Sequence, residues 1–483
     1  MSKEPVPLQF QAANPYLSFI DSSIGIVMKK IAVIGTARSG KTVFLTSSID
    51  QLRLQGIMIN GQIPVAFNEI KLQKSQNTFN YEGYRNELEL GNWPVKTTSI
   101  SHYRCRFNLG IKRRWWQLLS RKKRVHSLHF MDLPGERFAD AAIAEHASFE
   151  DWSDEILKYI NNNGLGKHAQ KLMALQNGQN VFKNDLFDAY REALAEFIIN
   201  FKPMISPSTF LLQSDGRLLP AGLTKNDINI FRALAKRDGI LGIKIQKNKL
   251  FNLKILPGKM FKNQPVSFSC EFAPLSSDAR KNNTKLTAEL SKNYKEYRRR
   301  VVMPLFTSLQ GSNCLIVLVD IPTLLNGGVQ MFNDNVRMIE SLFGVLRNPP
   351  LINKLPGINK IERVAFVATK SDLVLPDDLG RLEKLLKDMT SRFATLPGVA
   401  FEWFCCSSVV STQPDNGGQK LVGKLIDGDG QQAYVVPRLP KDWPADWEAK
   451  AYKIPSVFPK FPKNKFQPPQ QKNLDDLYKF ICQ

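Results

Sequence analysis

The sequence is short of the residues and segments that mark metal-binding, secreted and membrane-spanning proteins. Six cysteines and five histidines are spread over 483 residues, with no C-x-x-C pair and no His/Cys cluster that would suggest a transition-metal site. No charged-then-apolar leader opens the chain, and its longest apolar runs are strand-sized. A membrane helix would need ~20 apolar residues. We therefore expect a cytoplasmic protein, either soluble or attached peripherally at the inner face of the membrane.

The charge balance is strongly positive. Lys and Arg number 66 against 44 Asp and Glu, which gives a formal net charge of +22. Such an excess favours acidic partners such as nucleic acid, an anionic membrane or an acidic protein, although scattered positive charge also serves solubility. The 43% hydrophobic content is typical of a globular chain, and 483 residues predict two domains or one domain with a large insertion.

Residues Gly35–Thr42 read GTARSGKT and form the strongest functional motif, a phosphate-binding loop of the form G-x-x-x-x-G-K-[S/T]. The apolar run 30–34 predicts a strand before it, and the spacing of 43–52 predicts a helix behind it. Lys41 is expected to reach the β- and γ-phosphates and the Thr42 hydroxyl to bind Mg²⁺, at a helix N-terminus that favours anions. The predicted nucleotide contacts here are Gly35, Arg38, Ser39, Gly40, Lys41, Thr42 and Val43.

A second phosphate-side motif, Asp132-Leu133-Pro134-Gly135, follows the predicted strand 125–131. A DxxG tetrapeptide occurs in many turns, but after an apolar strand and downstream of a phosphate-binding loop it has a specific chemistry. Asp132 is expected to hold Mg²⁺ through water, and the Gly135 N–H is expected to contact the γ-phosphate.

A third motif, Thr369-Lys370-Ser371-Asp372, follows the apolar strand 364–368 and resembles the guanine-reading N/T-K-x-D of Ras-like GTPases. The Asp372 carboxylate can accept hydrogen bonds from guanine N1–H and the exocyclic amine, a donor pair that adenine lacks. Thr369 begins the motif, Lys370 would lie along the base and ribose, and Ser407-Ser408, after the next strand, would contact the base. The alternative is a solvated turn at the end of a strand.

The order of these motifs on alternating strands and helices predicts an α/β fold with a Ras-like P-loop NTPase core. We expect a mostly parallel sheet with helices on both faces and a large, mainly helical insertion. Further segments are GTARSGKTVFLTS, NWPVKT, DLPGE, FAPL, VVMPLF, IVLVD with LLNGG, and VAFVATKSD. Together they resemble the YcjX family of bacterial stress-associated P-loop proteins, from about residue 30 to the C-terminus. The resemblance implies a Ras-like domain with a helical insertion, nucleotide binding and GTP hydrolysis.

The expected organisation has four parts. A lead-in covers 1–29, the first part of the core 30–147, the helical insertion 148–300, and the second part of the core with its tail 301–483. Inside the insertion, apolar residues at helical spacing predict buried helix faces, for instance over 149–159.

Candidates for the switch and for hydrolysis lie beside these motifs. Thr97 ends a W-P-x-x-T segment similar to that of the family and would close over Mg²⁺ and the γ-phosphate. Thr98 is the alternative switch residue, and the alternative role for the segment is a packed turn without a switch function. Glu136 stands where Ras has a water-orienting Gln, and a carboxylate near phosphate oxygens is unfavourable unless it is neutralised or acts as a base. We therefore expect slow hydrolysis, with Glu136 orienting water weakly or pointing away. Arg38 or Arg137 could stabilise transition-state charge, although either could face solvent.

A basic connector, residues 112–124, concentrates seven Lys and Arg around a Trp-Trp and Leu-Leu centre. This composition suits an anionic bilayer surface, where rings lie at headgroup level and positive charge surrounds them. It also fits nucleic acid, a partner class that we disfavour, or a hairpin extension that packs its tryptophans and solvates its charges.

The predicted function is a GTP-binding protein with slow Mg²⁺-dependent GTP hydrolysis that acts as a stress-related switch. GTP or GDP and Mg²⁺ are the expected ligands, and ATP is disfavoured by Asp372. One alternative is an ATP-dependent enzyme or small-molecule kinase. Another is a module that binds membrane or protein and in which the nucleotide is mainly structural.

Overall fold

The structure, a computed structural model, describes residues 26–35, 39–72, 76–94, 100–110, 125–133, 141–162, 167–177, 180–187, 189–190, 193, 243–245, 253–255, 272–347, 361–428 and 430–483. Its strands are β1 (Ile26–Gly35), β2 (Ile63–Glu69), β3 (Ser101–Gly110), β4 (Val125–Asp132), β5 (Ile243–Ile245), β6 (Leu253–Ile255), β7 (Cys314–Val319), β8 (Arg363–Ala368), β9 (Ala400–Cys405), β10 (Gln413–Pro414), β11 (Leu421–Lys424) and β12 (Gln431–Tyr434). The strand predicted over 364–368 is confirmed, and those predicted over 30–34 and 125–131 lie within β1 and β4.

Seven of these strands form the central sheet, in the order β2-β3-β4-β1-β7-β8-β9. Strands β4, β1, β7, β8 and β9 are mutually parallel, whereas β3 is antiparallel to β4 and β2 is antiparallel to β3. The continuous apolar runs of β7 and β8 are buried, as parallel strands between helical layers require. The carboxyl ends of the parallel strands therefore meet at one edge of the sheet, where Gly35, Asp132 and Thr369 lie.

The helices lie over both faces of this mostly parallel sheet, so the predicted α/β class is confirmed. They are α1 (Lys41–Arg53), α2 (Tyr81–Glu89), α3 (Ala141–Glu145), α4 (Phe149–Asn162), α5 (Lys167–Leu175), α6 (Ser277–Asn282), α7 (Thr284–Tyr297), α8 (Met303–Gln310), α9 (Ile321–Arg347), α10 (Leu379–Thr390) and α11 (Leu474–Cys482). In the part of the chain that the structure describes, none of them combines the length and apolar composition that crossing a bilayer requires.

The helices between β4 and β7 share their core with the sheet. Trp152 on α4 and Tyr294 on α7 pack on Phe272 with ring centroids 5.0 and 5.3 Å away, and all three side chains are buried. The same apolar cluster includes Val317 and Phe366 of the sheet. The predicted buried face of α4 is confirmed, while the domain boundaries at 147 and 300 stay a prediction.

Two tryptophan indole groups attach the chain after β9 to helices α9 and α10. Trp443 donates to the Leu385 carbonyl of α10 at 2.8 Å, and Trp447 donates to the Leu325 carbonyl of α9 at 2.8 Å. A buried indole N–H needs an acceptor, so each contact fixes one point of an otherwise irregular segment.

Helix α9 is interrupted at Gly328, whose φ of 84° and ψ of 172° are accessible in practice only to glycine. The break frees backbone groups that the C-terminal segment satisfies. Val329 N–H donates to the Trp447 carbonyl at 3.1 Å, and Lys450 N–H donates to the Asn326 carbonyl at 2.7 Å. A Cβ at Gly328 would lie 2.9 Å from the backbone nitrogen of Ala449, so the close packing of the two backbones also requires glycine here.

We expect the Gly328→Ala variant to lower the free energy of unfolding by about 2–4 kcal/mol, because the methyl group is strained in this conformation and meets backbone atoms. Urea denaturation would measure the loss. Gly380→Ala is the matched control: a Cβ there has no atom within 4 Å and the residue lies in α10. That variant should be neutral or more stable by up to about 1 kcal/mol, and an equal loss in both variants would contradict the argument.

Candidate functional site

The ends of the predicted phosphate-binding loop are set by two glycines. A Cβ at Gly35 would lie 2.5 Å from Ser39 Oγ and 2.6 Å from the Leu318 carbonyl of the adjacent strand β7, so only glycine fits. Gly40 has a φ of 85°, in the left-handed region, and its carbonyl accepts the first bond of α1 from Phe44 N–H at 2.8 Å. The strand–loop–helix context predicted from the sequence is confirmed.

Lys41 is the first residue of α1, and its side chain reaches back to the end of β1. Its ammonium group donates to the Gly35 carbonyl at 3.0 Å, and the residue is only 8% exposed. Ser39 is fully buried, and its hydroxyl makes no hydrogen bond within the described part of the chain. The two ends of the loop thus bring an ammonium group and a hydroxyl close to the end of β1, where a phosphate chain would lie at the N-terminus of a helix.

The candidate magnesium ligands lie on neighbouring elements at the same edge. Thr42 is the second residue of α1, and its carbonyl accepts from the Thr46 hydroxyl one turn later at 2.8 Å. Asp132 ends β4, pairs in register with Val33 of β1 and is 1% exposed. A hydroxyl and a carboxylate are the hard oxygen donors that Mg²⁺ prefers, so these residues fit that ion. Val43 packs instead against a small apolar cluster that includes Val409.

Asp372 is buried, and several hydrogen-bond donors contact its carboxylate and carbonyl oxygens. This argues against the interpretation of its motif as a solvated turn. Ser407 Oγ donates to Asp372 Oδ1 at 2.6 Å and accepts from Asp372 N–H at 2.8 Å. The Ser411 N–H donates to Asp372 Oδ2 at 2.8 Å, and the Thr412 hydroxyl donates to the Asp372 carbonyl. Burial raises the pKa of the Asp372 carboxyl, and the Ser407 and Ser411 hydrogen bonds act in the opposite direction.

Lys370 and Asp320 form an ion pair that the sequence did not predict. Lys370 has a φ of 59°, and its ammonium group lies 2.5 Å from Asp320 Oδ2. Asp320 follows β7 directly and also caps α9, accepting from Thr323 N–H at 3.0 Å and from its hydroxyl at 2.6 Å. Thr369 continues the strand, with its N–H on the Val319 carbonyl at 3.0 Å. An acid directly after a buried strand, as at Asp132, was the signal that could have identified Asp320.

Ser407 and Ser408 connect the loop after β9 to the two motifs. The Ser407 hydroxyl touches Ser371 Oγ at 3.2 Å as well as Asp372. The backbone of Ser407 pairs with that of Lys472, which ties the loop to the segment before α11. The Ser408 carbonyl accepts a hydrogen bond from the Ser47 hydroxyl on α1. The predicted base-contacting loop therefore touches both the Asp372 motif and the helix that begins at Lys41.

The structure brings together Gly35, Ser39, Gly40, Lys41, Thr42, Asp132, Thr369, Lys370, Asp372, Ser407 and Ser408 along one edge of the sheet. Other predicted residues lie outside the described part of the chain: Arg38, Thr97, Thr98, Gly135, Glu136 and Arg137. The basic connector 112–124 does so as well.

An ionic contact lies about ten residues after the DxxG motif and involves the His146 side chain. His146, after α3, contacts the Glu155 carboxylate of α4, which also pairs with Arg337 of α9 at 2.6 Å. The Glu155 carboxylate accepts a hydrogen bond from the protonated His146 ring, which raises the pKa of His146 above its ordinary 6.5. The contact therefore joins the start of the helical segment to the helix that follows β7.

This contact predicts a pH-dependent part of the stability. Because the folded-state pKa of His146 is raised, its contribution is fully present below the unfolded pKa of about 6.5 and is lost as the pH rises through the folded value. Urea unfolding on both sides of this window should show a smaller pH dependence for His146→Gln than for the parent protein. An unchanged pH dependence in the variant would assign the effect to other groups.

The chain also matches a known protein family over most of its length. A model of the YcjX-like family, DUF463, matches residues 29–223 and 246–483. The matched ranges include the GTARSGKT loop, Asp132, the Thr369–Asp372 motif and the serines after β9.

Proposed function

The chain belongs to the YcjX-like family, as its motifs predicted, and from this and the site geometry we propose that it binds GTP with Mg²⁺ and hydrolyses it slowly. In this proposal the protein is a P-loop nucleoside triphosphatase with a Ras-like core. The GTP and GDP forms would differ around the helical segment between β4 and β7, which makes the protein a nucleotide-dependent switch. Its stress-related role comes from the family resemblance.

One observation carries the phosphate-binding half of the proposal: the Lys41 ammonium group lies 3.0 Å from the Gly35 carbonyl across the ends of a loop at a helix N-terminus. That position lies where β- and γ-phosphates meet the loop in this motif. The strand order supports a Ras-like core, since the loop, Asp132 and the Thr369 motif follow parallel strands at one edge. Ligands bind at this edge of open α/β sheets.

The contacts of Asp372 support guanine as the base. Each carboxylate oxygen has two lone pairs, and Ser407 and Ser411 each use one of them. In the proposal, the N1–H and the exocyclic amine of guanine would donate to these same two oxygens. Adenine would place an acceptor nitrogen opposite this carboxylate, which disfavours it.

Nucleotide titration tests the proposal against the ATP-dependent alternative. In the presence of Mg²⁺, GDP should displace a fluorescent guanine nucleotide at concentrations roughly a hundredfold lower than ADP does, because ADP would leave buried hydrogen-bonding groups unpaired. Equal competition by ADP would favour the ATP-dependent enzyme. If neither nucleotide binds, the proposal is wrong.

Hydrolysis is proposed to be slow because Glu136 replaces a neutral water-orienting side chain. Thr42, Asp132 and, by the family pattern, Thr97 would hold Mg²⁺, which neutralises charge on the phosphates when it is bound. Arg38 is the proposed source of positive charge at the γ-phosphate. Single-turnover hydrolysis by Glu136→Gln and Glu136→Ala should differ from that of the parent, and matching rates would exclude a role for this side chain.

The binding-module alternative differs from the switch in what the nucleotide changes. A switch should show different protease protection with GTP and GDP, whereas a structural nucleotide should protect equally in both forms. Peripheral binding to an anionic membrane through 112–124 stays a proposal. If the protein binds in this way, its flotation with liposomes should depend on anionic lipid.

A further inference from the structure

Away from the nucleotide site, one face of the sheet carries a compact set of basic and polar side chains. In the pairing registers of β1, β4 and β3, Lys30 lies beside His129, which lies beside Arg104. Two residues further along these strands, Ser127 of β4 pairs with Arg106 of β3. The ring centroid of His102 lies 5.2 Å from that of His129. Paired residues on neighbouring strands point to the same face, so these six side chains form one basic cluster.

Among the described residues, several donors of this cluster have no hydrogen-bond acceptor. His102 Nδ1, His129 Nε2 and the Nε atoms of Arg104 and Arg106 are buried without a hydrogen-bond partner in the described part of the chain. Ser127 is fully buried, and its hydroxyl is likewise unpartnered there. Such groups are nearly always satisfied in folded proteins, so several together on one face require an explanation.

One contact shows how poor the local supply of acceptors is. The Arg104 guanidinium group crosses β4 and lies 3.1 Å from the thioether sulfur of Met28 on β1. A thioether is a weak hydrogen-bond acceptor. An arginine with a carboxylate within reach usually donates to the carboxylate instead.

The charges within the cluster repel one another. Burial lowers the pKa of His129 to about 3, and His102, Arg104 and Lys30 add to this effect. Burial and then Arg104 also lower the pKa of Lys30. No carboxylate of the described residues contributes to either shift. The uncompensated positive charge is costly in this half-buried position, and a bound anion would offset that cost.

We propose that this cluster is a second anion site, separate from the phosphate-binding loop, that takes a compact phosphoryl group between Lys30, Arg104 and His129. Arg104 and Arg106 supply planar N–H groups that match phosphate oxygens, Lys30 supplies a point charge, and Ser127 supplies a hydroxyl. Lys30 precedes Gly35 by five residues along β1, about 16 Å of extended chain, so one phosphate group cannot occupy both sites. Ser127 lies at the buried end of the cluster, and the other five residues are partly exposed, which leaves the site open to a soluble ligand.

Histidine NMR tests this proposal directly, since the chain has only five histidines. Inorganic phosphate is titrated into protein whose loop is already filled with GDP and Mg²⁺, and also into Lys41→Ala protein, so the result does not depend on nucleotide binding. Phosphate should shift the His129 and His102 ring signals and raise the pH at which His129 titrates. Arg104→Gln should weaken this binding by roughly tenfold or more.

Arg392→Gln is the matched control. It removes the same charge at a site away from the cluster, where the Arg392 side chain is 54% exposed. It should leave phosphate binding unchanged. Arg104→Gln should melt no lower than the parent protein without phosphate, because it relieves repulsion, and it should lose the rise in Tm that phosphate gives the parent. Absence of histidine shifts with inorganic phosphate and of Arg104-dependent binding to phosphatidic acid vesicles, or equal weakening in both variants, would overturn the proposal.

A vesicle arm separates a soluble ligand from a lipid headgroup. Phosphatidylcholine vesicles that contain phosphatidic acid present the same phosphoryl chemistry on a surface. Retention that Arg104→Gln abolishes, without a response to inorganic phosphate, would assign the site to a lipid headgroup. Retention that survives in Arg104→Gln, together with no histidine shift on addition of inorganic phosphate, would place the membrane contact elsewhere and overturn the proposal.

Discussion

The Lys41→Ala variant should lose most of its affinity for GTP and GDP, with Kd rising roughly a hundredfold, about 2.7 kcal/mol. Lys41 is 8% exposed, and its ammonium group is held 3.0 Å from the Gly35 carbonyl, at the place where phosphate oxygens would meet it. Truncating one member of a buried charge pair costs this much or more in binding energy. Equilibrium titration with a fluorescent guanine nucleotide in Mg²⁺ would measure the change.

The same variant should fold normally, because it removes a buried positive charge whose desolvation opposes folding. Its Tm without nucleotide should equal or exceed that of the parent, while the stabilisation that GDP gives the parent should disappear. Lys281→Ala controls for the reduced net charge, since Lys281 is 72% exposed and lies on α6. Parent-like nucleotide affinity in Lys41→Ala would remove the loop from the proposed site.

The sequence predicted those parts of the fold that depend on neighbouring residues. The continuous apolar run 364–368 identified β8, and the GTARSGKT pattern with its flanking segments identified β1 and α1. Helices α7 and α8 follow one another directly, but a π-helical turn at Arg298–Val302 separates them just before Pro304, which has no N–H to continue the ladder. Local patterns give the type of an element more reliably than its continuity.

Contacts between distant residues were not predictable in this way. Asp320 and Lys370 are 50 positions apart, and Trp447 reaches a carbonyl 122 positions away, so no spacing rule connects them. The basic cluster was missed for a related reason. Lys30, Arg104 and His129 lie on three strands, and only the pairing register shows that they share a face.

Asp372→Asn should exchange guanine for xanthine preference, with GDP affinity falling roughly a hundredfold and xanthosine diphosphate becoming the better ligand. The carboxylate accepts two N–H groups of guanine in the proposed site. An amide offers one acceptor and one donor, and xanthine carries a carbonyl where guanine carries its amine. Competition titrations with both nucleotides on parent and variant would measure the exchange.

The gain of xanthosine binding is the decisive readout, because Asp372 also organises the loop after β9. Ser407 Oγ lies 2.6 Å from Asp372 Oδ1, so an amide there could disturb the loop and weaken every nucleotide alike. Ser407→Ala separates the two effects, since it removes this hydroxyl and keeps the carboxylate. It should weaken GDP binding by roughly tenfold through lost positioning and leave guanine preferred over xanthine. Loss of GDP binding in Asp372→Asn without any gain for xanthosine diphosphate would mean that Asp372 shapes the loop and does not read the base.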